Sequence, residues 1–295
     1  MKRELKLDTI GQSNKISNLL DIATRLYDIE LKRHNDASHP LNVLIFLVDN
    51  GFQKHESLKS INQSILDSYF QNGFTILMNI PIAFGGTGEN VKTWILCDLP
   101  ILTYISIKLN NDKLLPVHKK IIKNISILMD ENGWRCKNCG NIGKFRGPGK
   151  KDDECPLATL NVLRLLSLTK SNEYLDEKEK AIETLLLLWK ERKKRRPYLF
   201  AMGTDFCKLK YPLIWYDILN VVNTLSYFQS AVNRKEFIEM LKIINQKVKQ
   251  NGYKPESVYQ FWKEFDFGQK KTDSEYIKNT IESIQDRINR LTTST

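Results

Sequence analysis

Residues 58–74 read LKSINQSILDSYFQNGF, and the fold follows from how that run ends. Leu58, Ile61, Ile65, Leu66, Tyr69 and Phe70 recur at the spacing of one helix face. Asn72-Gly73-Phe74 then closes the run, with a glycine placed where a left-handed residue stops a helix. The same Asn-Gly-aromatic mark returns 60 residues later as Asn132-Gly133-Trp134 and a further 119 residues on as Asn251-Gly252-Tyr253. Ile121, Ile122, Ile125 and Leu128 precede the second mark, and Ile238, Leu241, Ile244 and Val248 precede the third, again at helical spacing. Between the second and third, Arg195-Arg196-Pro197-Tyr198 keeps the break and the aromatic without the glycine. A break after every second helix is the pattern of repeated helical hairpins. Asn50-Gly51-Phe52 is a further copy, out of register.

Other segments are apolar on nearly every side: Leu41–Val48, Leu99–Ile107 and Leu157–Leu168. Amphipathic helices alternating with fully apolar ones predict an outer layer around an inner one. Ile16, Leu19, Leu20, Ala23, Leu26 and Tyr27 form a further amphipathic helix. Strand signals are weak. The fold class expected is therefore all-α, with ten or more helices, read as an N-terminal helical extension (1–39) on a main domain (40–295). Long Gly-, Pro- and aromatic-rich connections at 73–92, 131–155, 197–211 and 252–273 follow alternate helices. In a ring of hairpins they would gather at one end, the candidate site.

The chain has 295 residues and 41% hydrophobic content, enough for a large core. No apolar run is long enough for a transmembrane helix. The charged start, Met1-Lys2-Arg3-Glu4, lacks the apolar stretch of a signal peptide, and five cysteines suit a reducing cytoplasm. A net charge of +11 favours anionic partners, with nucleic acid among them, although no nucleic-acid motif accompanies it. The densest basic run, 190–196, ends a helix, where cations offset the dipole; contact with phosphate or nucleic acid is the other reading.

Residues 131–160 carry the most chemistry. Cys136-Lys137-Asn138-Cys139-Gly140 is a turn that presents two thiolates to one zinc, with Cys155 as a further donor; free thiols are the alternative. Pro156 suits a first helical turn, so Asp152, Asp153 and Glu154 stand at a helix N-terminus as capping charge, or else Asp153 or Asp152 faces a cavity as acid or metal ligand. Gly143–Lys151 holds three glycines and four cations, a composition able to cradle a phosphate through backbone N–H groups, Arg146, Lys150 and Lys151. Asp98 and Asp217 lie in apolar segments, where a carboxylate is either bonded to the scaffold, with Lys208, Lys210 or Arg146 as partners, or functional. Trp94, Trp134, Trp215 and Tyr216 either pack the core or line an apolar pocket whose ring faces stabilise a cation.

Gly143-Lys144-Phe145-Arg146-Gly147 through Lys150-Lys151-Asp152-Asp153-Glu154-Cys155-Pro156 resembles the Gly-Arg-rich loop and Asp-x-Cys step of protein prenyltransferase β-subunits. The Asn-Gly-aromatic breaks resemble the Gly-Gly-aromatic repeats of those proteins and of squalene and other terpenoid cyclases. Over about residues 40–270 the chain resembles prenyltransferase-like and squalene-cyclase-like proteins, in which Trp94 to Asp98, Lys208 to Pro212 and Trp215-Tyr216-Asp217 are also associated. The resemblance implies an α/α toroid with a central apolar cavity that takes an isoprenoid or similar apolar small molecule, free or as its diphosphate. It implies Asp153 and Cys155 as metal ligands; with Cys136 and Cys139 they make up the zinc candidates, and Asp152, Asp153, Asp98 and Asp217 are the candidate catalytic acids. Arg146, Lys150, Lys151, Lys208 and Lys210 would bind the substrate together with the aromatics. Two features depart from the pattern: no histidine follows the loop, since His34, His39, His55 and His118 all precede it, and the cyclases' Asp-x-Asp-Asp is absent. A non-catalytic protein that binds a peptide, lipid or anionic partner is the alternative.

Overall fold

A computed structural model describes residues 10–32, 36–140, 142–144, 153–194 and 204–293. It is mostly helical, with eleven α-helices and one two-stranded sheet among the described residues. The chain divides into two compact units, Met1–Leu128 with Cys136–Gly147, and Met129–Arg135 with Pro148–Thr295.

The first unit holds α1 (Ile10–Ala23), α2 (Pro40–Asp49), α3 (Ser57–Asn72), β1 (Ile76–Asn79), β2 (Asn90–Thr93), α4 (Leu99–Leu109) and α5 (Pro116–Ile127). α2 buries every residue from Pro40 to Val48 except Asn42, and α4 buries all of its residues but Lys108. These two pack on each other, with α1 against α2, and α3 and α5 against α4. α5 buries only one stripe, His118, Ile121, Ile122 and Ile125. Fully apolar helices thus lie inside and amphipathic ones outside, because a helix apolar all round is stable only when every face is covered.

The sheet is a departure from the all-helical expectation. β1 and β2 pair antiparallel, Ile76 opposite Thr93 and Asn79 opposite Asn90. Each strand is only four residues long and carries asparagine, so neither gives a readable alternation. Leu31 adds a bridge to Met78 through Leu31 N–H to the Leu77 carbonyl (2.8 Å). The Gly85–Gly88 loop joins the two strands, with Gly86 pressed so closely on the Ile80 backbone that a Cβ would clash.

The second unit holds α6 (Pro156–Leu166), α7 (Leu175–Lys190), α8 (Ile218–Leu225), α9 (Gln229–Val232), α10 (Lys235–Asn251) and α11 (Glu275–Thr293). Every residue of α6 is buried, and all of α8 except Asn223. α6 packs on α7 and α8, and α8 on α10 and α11. Two of the glycine marks end helices as read: Gly73 (φ 68°) follows α3 and Gly252 (φ 71°) follows α10, each with its N–H on the last turn. Gly133 (φ 109°) does something else. It lies beyond the end of α5, in a tight turn where Asp130 N–H donates to the Gly133 carbonyl (2.7 Å). The basic run starts as expected: α7 ends at Lys190, and Arg192 stacks on the Trp189 ring at 3.8 Å while donating to the Trp189 carbonyl.

The buried helices share one way of starting. α2, α4 and α6 each have proline in the first turn, where no N–H is needed. His39, Asp98, Cys155 and Asp217 stand at the caps of α2, α4, α6 and α8. His39 Nδ1 accepts from Leu41 N–H (3.1 Å), and its other nitrogen meets the Ile29 carbonyl (3.0 Å). Burial holds His39 below the ordinary imidazole range, against the Ile29 bond and the nearby charges of Asp36, Asp98 and Glu30.

His118 is likewise a neutral fastener. Nδ1 accepts from Leu115 N–H (3.1 Å), Nε2 meets Ser106 Oγ on α4 (2.9 Å), and burial lowers its pKa from 6.5 to about 4. The unfolded chain takes up this proton first. Stability is therefore complete above about pH 6.5 and weakens as pH falls towards 4, by up to on the order of 3 kcal/mol from this group. Urea unfolding at pH 7 and pH 4.5 is expected to show that loss in the native protein and a shallower one in His118→Asn. An unchanged slope in the variant would exclude His118 as its source.

Candidate functional site

The second unit gathers polar side chains around the start of α8. Asp217 is wholly buried and caps the helix: Oδ1 accepts from Asn220 N–H at 3.0 Å. Its other oxygen, Oδ2, has no hydrogen-bond partner among the described residues. Burial pushes the carboxyl up to about 7, against the bonds from the Asn220 and Leu219 N–H groups and the charge of Lys210. A carboxyl poised there holds its proton in a large fraction of molecules at neutral pH.

Asn220 and Thr224 continue from Asp217 along one face of α8, three and seven positions on. Asn220 Oδ1 and Thr224 Oγ1 are also buried without partners among the described residues. Tyr259, from the connection before α11, lies within the electrostatic reach of Asp217, and burial holds its phenol well above the ordinary range, with Asp217 and Asp205 adding. The Tyr259 hydroxyl and Trp215 Nε1 lack partners among the described residues, and the two rings are 5.3 Å apart. Asn220 Nδ2 donates to the Trp215 carbonyl (2.7 Å), which fixes that ring's backbone beside the cap. Five buried polar atoms without a partner, on one helical stripe and its neighbours, are far from the usual satisfied interior.

Lys210 is nearly buried and donates to Asp205 at 2.7 Å, with its ammonium 6.0 Å over the Trp215 ring. Lys208 donates to the same carboxylate at 3.0 Å, and the Lys210 bond is the main cause that holds Asp205 below the carboxylate range. The lysines expected beside Asp217 are therefore paired with Asp205, and Lys210 acts on Asp217 through its charge. The segment is braced from below, since Glu256 accepts from Leu209 N–H (2.8 Å) and pairs with Lys247 (2.7 Å).

Tyr216 is buried, and its phenol is held far above the ordinary range by burial first, then by Glu154 and Cys155. The starts of α6 and α8 thus lie side by side. Glu154, not Asp153, is the buried acid there; Asp153 is half-buried. Cys155 caps α6, with Sγ accepting from Ala158 N–H (3.5 Å), and its N–H donates to the Trp134 carbonyl (2.7 Å). Trp134 is fully buried, its N–H on Thr159 Oγ1 (3.3 Å), in a core position.

In the first unit, Asp98 is buried at the α4 cap, and Trp94 is half-buried beside an apolar groove. The Cys136–Cys139 turn is pinned to the segment before α4: Leu96 N–H donates to the Lys137 carbonyl (2.7 Å), Cys139 N–H to the Trp94 carbonyl (3.1 Å), and Thr93 Oγ1 to the Cys139 carbonyl. Neither cysteine is in a disulfide, and both are half-buried. Among the described residues no group of three or more His, Cys, Asp or Glu side chains is arranged to hold a metal ion. Of the zinc candidates Cys136, Cys139, Cys155 and Asp153, Cys155 Sγ serves as a helix cap. Arg146, Lys150, Lys151 and Asp152 lie outside the described residues.

Comparison with family models, curated proteins and solved structures returns no match. No described helix is long and apolar enough to cross a membrane.

Asn220, Thr224 and Tyr259 were not singled out from the sequence, and Glu154 was read only as a charge at the helix N-terminus. The first two had a signal: in DILNVVNT the polar residues fall at helical spacing within an apolar stretch. Tyr259 had none, because only tertiary packing brings it to α8.

Proposed function

We propose that this chain is a prenyltransferase- or terpenoid-cyclase-like α/α toroid that acts on an isoprenoid or similar apolar substrate, with Asp217 as its acid. The observation that carries this reading is the buried carboxyl with one oxygen tied to the helix and the other without a partner, held near neutrality. Its proton would pass from Oδ2 to an electron-rich substrate carbon, leaving a carboxylate and a carbocation. The Trp215 and Tyr259 faces suit the cation, and the charge of Lys210 suits the carboxylate. Burial excludes the water that would quench such an intermediate. A diphosphate-bearing substrate would draw on Arg146, Lys150 and Lys151.

One observation favours a non-catalytic role: the same carboxylate is the α8 cap, a structural use that requires no substrate. Incubation of the pure protein with farnesyl diphosphate, geranylgeranyl diphosphate and squalene, followed by product analysis, separates the two. Turnover that falls as pH rises through 7 supports the acid. Binding without any product supports the second reading.

A further inference from the structure

The first unit contains a groove of about 820 Å³ lined by α3, α4, α5 and Trp94. The whole of one α5 face contributes: Pro116, Val117, Lys120, Ile121, Asn124 and Ile125, followed by Leu128. Twelve helical steps make the groove roughly 18 Å long. An extended hydrocarbon chain matches that length: at about 1.25 Å per methylene, from a C–C bond near 1.5 Å, some fourteen carbons span it.

Charge identifies the head group. Among the described residues Lys120 is the one charged side chain in the lining, and it is exposed. α5 also carries exposed Lys119 and Lys123 and no acidic residue, while buried His118 stays neutral. On the opposite wall, Asp67 of α3 lies outside the lining and is held by Gln63 Nε2 (2.8 Å). An apolar trough with a cationic rim is complementary to a single-chain anion and repels a cation of the same length.

We propose that this groove binds a long-chain carboxylate, its tail along α5 and its head group at Lys120. The site is separate from Asp217 and stands whatever becomes of the acid. The test uses the full chain with myristate, tetradecyltrimethylammonium and 1-tetradecanol, each below its aggregation limit, followed by calorimetry and tryptophan fluorescence. Myristate is expected to bind saturably, one per chain, at least tenfold more tightly than the cationic amphiphile, with a fluorescence change that Trp94→Phe removes while calorimetric binding persists. Lys120→Glu is expected to weaken myristate at least tenfold and leave tetradecanol unchanged. Asn124→Trp, an exposed position, is expected to fill the trough and abolish binding of both. Circular dichroism and thermal melting confirm that each variant is folded. No saturable binding, equal affinity for both charges, indifference to Asn124→Trp in a folded protein, or displacement of myristate by an acidic amphipathic helix at comparable concentration would each overturn the assignment.

Discussion

Asp217→Asn is expected to abolish turnover, by at least 100-fold, while making the protein more stable above neutral pH. The two effects have one cause. The carboxyl is carried from an ordinary 3.8 to about 7 on folding, chiefly by burial. The unfolded chain therefore releases this proton at lower pH than the native protein does. Native stability is at full strength near and below pH 3.8 and declines as pH rises to 7, by up to on the order of 4 kcal/mol from this group. Asparagine keeps the side-chain oxygen that accepts from Asn220 N–H and is itself a good cap, so the helix start survives. Denaturation at pH 3.5 should find the two proteins nearly equal, and at pH 8 the variant should lead by most of that amount. A carboxylate that served only as an ionised cap would give the reverse: asparagine equal or less stable at every pH.

Trp134→Ala is expected to destabilise the second unit by about 3–5 kcal/mol, the range for emptying a large core site. Trp134 is fully buried, and its backbone carries both ends of a short brace, donating to Thr159 Oγ1 and accepting from Cys155 N–H. The sequence left it between core packing and pocket lining. Its burial gives it to packing around the start of α6, next to Glu154 and Cys155. Urea unfolding should show the midpoint falling sharply for alanine and much less for phenylalanine, which fills most of the space. An alanine variant with native stability and impaired ligand binding would restore the pocket role.

The layered helical architecture was legible because it depends on periodicity. Leu99–Ile107 and Leu157–Leu168 read as apolar all round, and both are buried. The glycine marks at 73 and 252 were legible as helix stops for the same local reason. The hairpin at Ile76–Asn79 and Asn90–Thr93 was not, since pairing of two four-residue strands is settled by contacts distant in sequence.

The buried polar groups were legible in the sequence only in part. Asp98 and Asp217 drew notice as carboxylates in apolar runs and Cys155 as a thiolate donor, and each proves to begin a buried helix. For Cys155 the adjoining Pro156 was already a signal of that capping place. What separates Asp217 from the others is a wholly buried carboxyl in the company of Asn220, Thr224 and Tyr259, an arrangement that only packing reveals. The choice of Glu154 over Asp153 as the buried acid has the same origin, since nothing local distinguishes adjacent carboxylates at a helix N-terminus.

The measurement that bears most directly on Asp217 is its own titration, followed by the side-chain carboxyl ¹³C resonance in labelled protein and assigned with Asp217→Asn. A midpoint near 7 is the expected result. A midpoint at or below the ordinary carboxylate value near 3.8 would mean an ionised cap at neutral pH, and the acid role would be lost.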